Sequence, residues 1–169
     1  MASIIKYHYF VEGECEKKLI EILKEQKGLI ISGKVDVFNA VQKRFTQLHL
    51  RSFYKNTIVI LIFDTDTNDA AILKENIAFL KKGNNVKDVW CIPQCCNLED
   101  ELVKATKLKN VSDLVGAASA KDFKHDFLRE KNLFSKLCSW EFDLSKMWTV
   151  HPTGTFSGIV NSGSKIICR

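Results

Sequence analysis

A chain of 169 residues, 46% hydrophobic and 27% charged, has the composition of a globular domain with a core of its own, which argues against a disordered, fibrous or disulfide-scaffold protein. The longest apolar run, Ile58 to Phe63, is too short to span a bilayer, and the N-terminal stretch lacks the basic start and apolar segment of a signal peptide, so the expectation is a cytoplasmic protein with no membrane partner. The net charge of +5 is uneven: no acid falls between Asp36 and Asp64, where Lys43, Arg44, Arg51 and Lys55 lie, and none from Leu144 onward, a distribution that suits either a polyanionic partner or a plain solvated surface.

In chain order, Ile4 to Val11 is rich in β-branched and aromatic residues and predicts a first strand. Glu14 to Lys27 predicts a helix, with Cys15, Leu19, Ile22, Leu23 and Gln26 at roughly helical spacing and Gly28 as its stop. Lys34 to Phe38 reads as a short edge strand and Ala40 to Leu48 as a helix. Thr57 to Phe63 carries no charge, as a strand buried on both faces does. Asp69 to Lys82 predicts a helix with Leu73, Ile77 and Leu80 along one stripe and Gly83 closing it. Val86 to Pro93 is a fourth strand and Leu98 to Lys107 the helix after it. Strands alternating with helices of this length imply a parallel sheet. The expected fold is therefore α/β and Rossmann-like, a central, mostly parallel sheet of about four strands flanked by helices, with its core in residues 4–106. Residues 107–169 extend the same domain: helices over Ala120 to Arg129 and Asn132 to Leu137, a strand over Met147 to Val150, and a loop from Pro152 to Ser164.

Six cysteines, Cys15, Cys91, Cys95, Cys96, Cys138 and Cys168, form no CxxC pair and read as buried thiols rather than as a zinc site. The acids are more informative. Two apolar runs stop abruptly at carboxylates: the first strand at Glu12-Gly13 and the third at Asp64-Thr65-Asp66. Parallel strands would deliver these residues to the C-terminal edge of the sheet, where open α/β folds build their sites. Strand periodicity puts Asp64 and Asp66 on one side, and Glu99, flanked by Asp100 and Glu101, follows the fourth strand at the same edge. Carboxylates about 5 Å apart repel by roughly 3 kcal/mol at an effective dielectric near 20, which a divalent cation such as Mg²⁺ or Mn²⁺ relieves. Acids such as Glu14 and Asp69 have the simpler reading of favouring the positive end of a helix dipole.

Glu12-Gly13 after a first strand, with Asp64-Thr65-Asp66 after a later one, resembles the Toprim domain of topoisomerases, bacterial primases and OLD-family nucleases. The resemblance covers about residues 4 to 106. It implies a site for one or two Mg²⁺ or Mn²⁺ ions, with Glu12 as general acid/base or ligand and Asp64 and Asp66 as the metal-binding pair. Glu16, in the Glu12-Gly13-x-x-Glu16 spacing, and Glu99 are similar to the extra acids of the nuclease branch. That branch also uses a downstream lysine, a role for which Lys121 or Lys124 is the candidate. No GxxxxGK[ST] motif, zinc ribbon or tyrosine-bearing cleavage domain accompanies these motifs. The implied activity is hydrolysis of phosphodiester bonds in RNA or DNA by a small Toprim nuclease, in a bacterial or phage-defence setting, beside a separate ATPase or other protein partner, or as a homodimer.

Two other readings stay open. Phe63-Asp64-Thr65-Asp66-Thr67 also fits the DxDxT nucleophile motif of haloacid-dehalogenase-like phosphatases, with Asp64 attacking phosphorus, although that leaves Glu12 without a role. A Toprim-like module that binds a partner without chemistry is the third. Phe53, Tyr54 and Trp90 could offer a stacking platform for bases. The loop from His151 to Gly158 could present hydroxyls and N–H groups to phosphates, and His8 and His151 have no partner visible in the sequence.

Overall fold

The uncharged run forms the strand β3, Thr57–Asp64, in which every residue up to Phe63 is buried. The computed structural model describes residues 4–26 and 28–168. On either side of β3 lie β1, Lys6–Val11, and β4, Val86–Gln94, and outside β1 lies β2, Lys34–Val37. All neighbouring pairs are parallel, in the order β2-β1-β3-β4, with Val11 beside both Val37 and Ile62, and Asp64 beside Gln94. The α/β fold with a parallel, Rossmann-like sheet is thus present as expected. From the centre the chain leaves in opposite directions, β1 to β2 on one side and β3 to β4 on the other. The crevice between the carboxyl ends of β1 and β3 is therefore a topological switch point, the usual ligand position in such sheets.

Both faces of the sheet are covered, and the strands alternate between them with period two. On one face Tyr9, Val11, Ile60 and Ile62 pack with α1 (Glu14–Glu25), α4 (Leu98–Lys104), α5 (Ala120–Arg129) and α6 (Leu133–Ser139). On the other, Phe10, Leu61 and Phe63 meet Leu73 and Leu80 of α3 (Ala71–Lys81), joined by Phe53 and Phe156. Helix α1 buries Cys15, Leu19, Ile20 and Leu23, close to the stripe its spacing predicts. Its expected end at Lys27 lies outside the described residues. No helix among the described residues is long and apolar enough to cross a membrane.

Two expected elements are replaced. Residues 40–45 are not helical, and α2 starts later, at Gln47–Ser52. The reason is Asn76 on α3, 2% exposed, whose Nδ2 donates to the carbonyls of Ala40 and Lys43 (both 2.7 Å) and whose Oδ1 accepts from the Phe45 amide (2.9 Å). One buried amide takes the backbone groups that a helix would have used. Nor do Met147 to Val150 form a strand. Trp148 has φ of 54°, its amide donates to Glu101, and its carbonyl and that of Val150 accept from Asn161 at 2.8 and 2.9 Å. The expected loop from Pro152 to Ser164 is partly ordered: a 3₁₀ turn at Gly154–Phe156 buries Phe156 against Phe63 (ring centroids 5.9 Å), and α7, Gly163–Ile166, follows. The thiols are likewise less uniform than expected: Cys15 and Cys91 are buried, whereas Cys96, Cys138 and Cys168 are exposed.

Candidate functional site

Each acid reaches the crevice by a separate local rule. Glu12 is the first residue past β1, and Asp64 is the last of β3, with Asp66 two residues on. Glu16 sits in the first turn of α1 and Glu99 in the first turn of α4. Nearby backbone amides at the start of α1 partly offset the upward shift that burial imposes on Glu16. A Cβ on Gly13 would stand 3.0 Å from Glu16 Oε2, so the bare glycine leaves that carboxylate its place.

The structure brings all five expected acids within electrostatic reach of one another. Burial pushes the Asp64 carboxyl up to about 8, and the charges of Glu12, Glu16, Asp66 and Glu99 add to it. Burial likewise raises Glu12 to about 7, opposed by a hydrogen bond from the Asp64 amide and reinforced by Glu16 and Asp66. Glu16 is shifted upward by burial and by Glu99. The compensating cation is Lys124 on α5, whose Nζ lies 3.8 Å from Glu99 Oε1. Helix α5 is held beside α1 by Lys18, which donates to the carbonyls of Phe127 (2.8 Å), Leu128 (2.9 Å) and Glu130 (2.5 Å). Lys121, one turn earlier, is exposed and makes no ion pair or hydrogen bond among the described residues.

Asp64 Oδ1 is buried and has no hydrogen-bond partner among the described residues. Leaving a buried acceptor unserved costs about 1–3 kcal/mol, more when it is charged. Beside it in the sheet, Gln94 is 1% exposed, and among the described residues neither polar atom of its side-chain amide has a partner. Asp64 follows Ile62, and Gln94 follows Ile92, with the same parity, so the two polar side chains share the face of the sheet that packs on α1. Unserved polar groups gathered inside a ring of acids suit a hydrated cation, which takes carboxylate oxygens directly and others through water. As the side chains stand, no three His, Cys, Asp or Glu among the described residues are arranged as a ready ligand group. The donor chemistry, five carboxylates of which one carries an orphaned oxygen, nevertheless fits Mg²⁺ or Mn²⁺.

The rim is tied down by residues the sequence did not single out. Thr65, between the two aspartates, donates its amide to the carbonyls of Gln94 (3.1 Å) and Cys96 (2.8 Å), and its hydroxyl to Gln94 (2.9 Å). Glu101 is fully buried: Oε1 accepts from the Cys95 amide (3.1 Å), Oε2 accepts from the Trp148 amide (2.7 Å), and Oε2 forms an ion pair with Lys104 at 2.7 Å. It joins the acid-bearing loop to residues 107–169. Its i,i+3 lysine was the available signal, but adjacency to Glu99 hid its separate role. Asp69 Oδ1 accepts from the Ala71 amide at 2.8 Å, a helix-start contact.

Other candidates fall elsewhere. His8 Nε2 lies 2.8 Å from Asp36, inside β1 and away from the crevice, and burial lowers its pKa. His151 is exposed and lies 3.3 Å from the Ser157 carbonyl. Phe53 belongs to the core, Trp90 bonds Asp88 (2.8 Å), and Tyr54 is exposed. In comparisons with known proteins, no family model, curated sequence or solved structure matches the chain.

Proposed function

We propose that the protein is a Toprim-type nuclease that hydrolyses phosphodiester bonds of nucleic acid with Mg²⁺ or Mn²⁺ at the crevice of Glu12, Asp64 and Asp66, with Glu16 and Glu99 able to support a second ion. The observation that carries this reading is the orphaned Asp64 Oδ1, buried at the switch point among four further acids. A bound ion would polarise a phosphate oxygen and acidify the attacking water.

The chain's own residues supply the rest. Asp64, Asp66 and Glu12 lie on adjacent central strands or directly after them, a rigid base that fixes their separation. In this reading Glu12 takes the proton of the attacking water on a carboxylate oxygen. Lys124 stands where it can neutralise charge spreading over the phosphate. Its placement favours it over Lys121 for the cationic role.

The test is incubation of labelled RNA and DNA with Mg²⁺ or Mn²⁺, comparing wild type with Glu12→Gln and Asp64→Asn. Wild type should cut at least one of the two, and each variant should lose about a hundredfold or more of the rate. Equal cutting by wild type and variants, or none by wild type, overturns the proposal. Recovery of an aspartyl-phosphate from wild type would instead make Asp64 the nucleophile of a phosphatase.

A further inference from the structure

A cavity lies on the opposite face of the sheet from the acids. It occupies about 530 Å³ between α3, the outer strand β4 and the segment after the Gly154–Phe156 turn. Its floor is apolar, built from Ile77, Val89 and Ile159, and Val160 stands at its rim with 74% of its surface exposed. Around that floor are three exposed lysines: Lys74 and Lys81 on α3, and Lys165 on α7. None of the three pairs with a carboxylate among the described residues; Lys165 Nζ instead lies 5.1 Å from the ring centre of Trp90. Among the described residues one acid, Asp88, lines the cavity, its two oxygens accepting from the Val89 amide and the Trp90 indole, both at 2.8 Å. Three lysines against one carboxylate leave the cavity with an excess of positive charge around an apolar surface.

The dimensions narrow the occupant. Lys74 and Lys81 are seven residues apart on one helix, which places them about 10 Å apart along its axis, the reach of a polyphosphate or of two successive strand phosphates. The volume is that of a small-molecule site. The apolar floor would accept a planar base, while the lysines act as point charges on phosphate. The segment that closes the cavity is fixed to β4 by the Ser162 amide, which donates to the Cys91 carbonyl at 2.7 Å, so this wall stands without a ligand.

We infer that the cavity between α3, β4 and residues 158–165 is a binding site for a nucleoside phosphate, either a free nucleotide or part of a nucleic-acid strand, distinct from the carboxylate crevice. The inference is independent of the nuclease reading, because none of its residues belongs to the acid cluster. Occupancy would draw Lys165 off Trp90 and so change the indole emission.

The test uses the full chain in EDTA, in both the wild-type and Asp64→Asn backgrounds, so that a failed nuclease reading leaves it intact. Fluorescent N-methylanthraniloyl-ATP is titrated, with unlabelled ATP, a dT₁₀ oligonucleotide, inorganic triphosphate and a deca-glutamate peptide as competitors. Binding should be saturable, alike in both backgrounds, and at least about tenfold weaker in Lys81→Glu/Lys165→Glu, as the loss of two phosphate contacts requires. Matching circular dichroism shows that this variant keeps its fold. Stronger competition by ATP assigns the site to free nucleotides, and stronger competition by dT₁₀ assigns it to a strand; both agree with the inference. Absence of saturable binding, or equal binding by the charge-reversed variant, overturns it. So does competition by triphosphate as strong as by ATP, which leaves the base unrecognised, or by the glutamate peptide, which points to an acidic protein.

Discussion

Replacing Asp64 by Asn should stabilise the metal-free protein at alkaline pH while removing its response to Mg²⁺. In the folded chain the Asp64 carboxyl holds its proton up to about 8, against an ordinary value of 3.8. The folded state therefore binds this proton more tightly than the unfolded state does. The associated stability is complete below about pH 4 and is lost as pH rises through about 8. Glu12, at about 7 against 4.5, acts in the same sense. A shift of roughly four units at about 1.4 kcal/mol each sets a ceiling near 6 kcal/mol. Neighbouring acids share the repulsion and take up protons together, and water reaches part of the site, so about 2 kcal/mol is expected at pH 9. For a chain of this length that is a rise in Tm of about 4–8 °C. Thermal melts of both proteins in EDTA at pH 4, 7 and 9 measure it. The two should lie closest at pH 4, near the unfolded-state value of the carboxyl, and diverge as pH rises toward 8, with Asp64→Asn the more stable. Adding Mg²⁺ at pH 9 should raise the wild-type Tm and leave the variant unmoved. A variant less stable than wild type at pH 9 in EDTA would refute the electrostatic reasoning.

Other substitutions separate scaffold from site. Asn76→Ala removes the hydrogen bonds that hold residues 40–45 and should cost about 2–4 kcal/mol in urea unfolding; a loss under 1 kcal/mol would mean that segment is held by its apolar contacts. Glu101→Ala leaves Lys104 and two amides without their acceptor and should cost about 3–5 kcal/mol, with Glu101→Gln milder because it still accepts from an amide. In the cleavage assay, Lys124→Ala should lower the rate about tenfold to a hundredfold while Lys121→Ala leaves it near wild type; the reverse order would return the role to Lys121.

What the sequence revealed and what it hid divide along one physical line. β3 was legible because a strand buried on both faces must be uncharged, and the acids closing β1 and β3 were legible because those runs end so sharply. The five-acid cluster then follows from the parallel order of the strands. The segments that were misread, residues 40–45 and 147–150, are those whose backbone is captured by a distant side chain, Asn76 in one case and Glu101 with Asn161 in the other. No local pattern encodes partners 11 to 47 residues away. Gln94 was hidden for a related reason: a glutamine closing an apolar strand looks like its solvent-facing end until the sheet buries it beside Asp64.

Diffraction from crystals soaked in Mn²⁺, with anomalous differences recorded at the manganese edge, tests the central claim most directly. An ion is expected in the crevice with Asp64 Oδ1 among its ligands, within about 2.0–2.6 Å, and with Asp66 and Glu12 turned toward it. A crevice without anomalous density at saturating Mn²⁺, or density that bypasses Asp64, would contradict the claim.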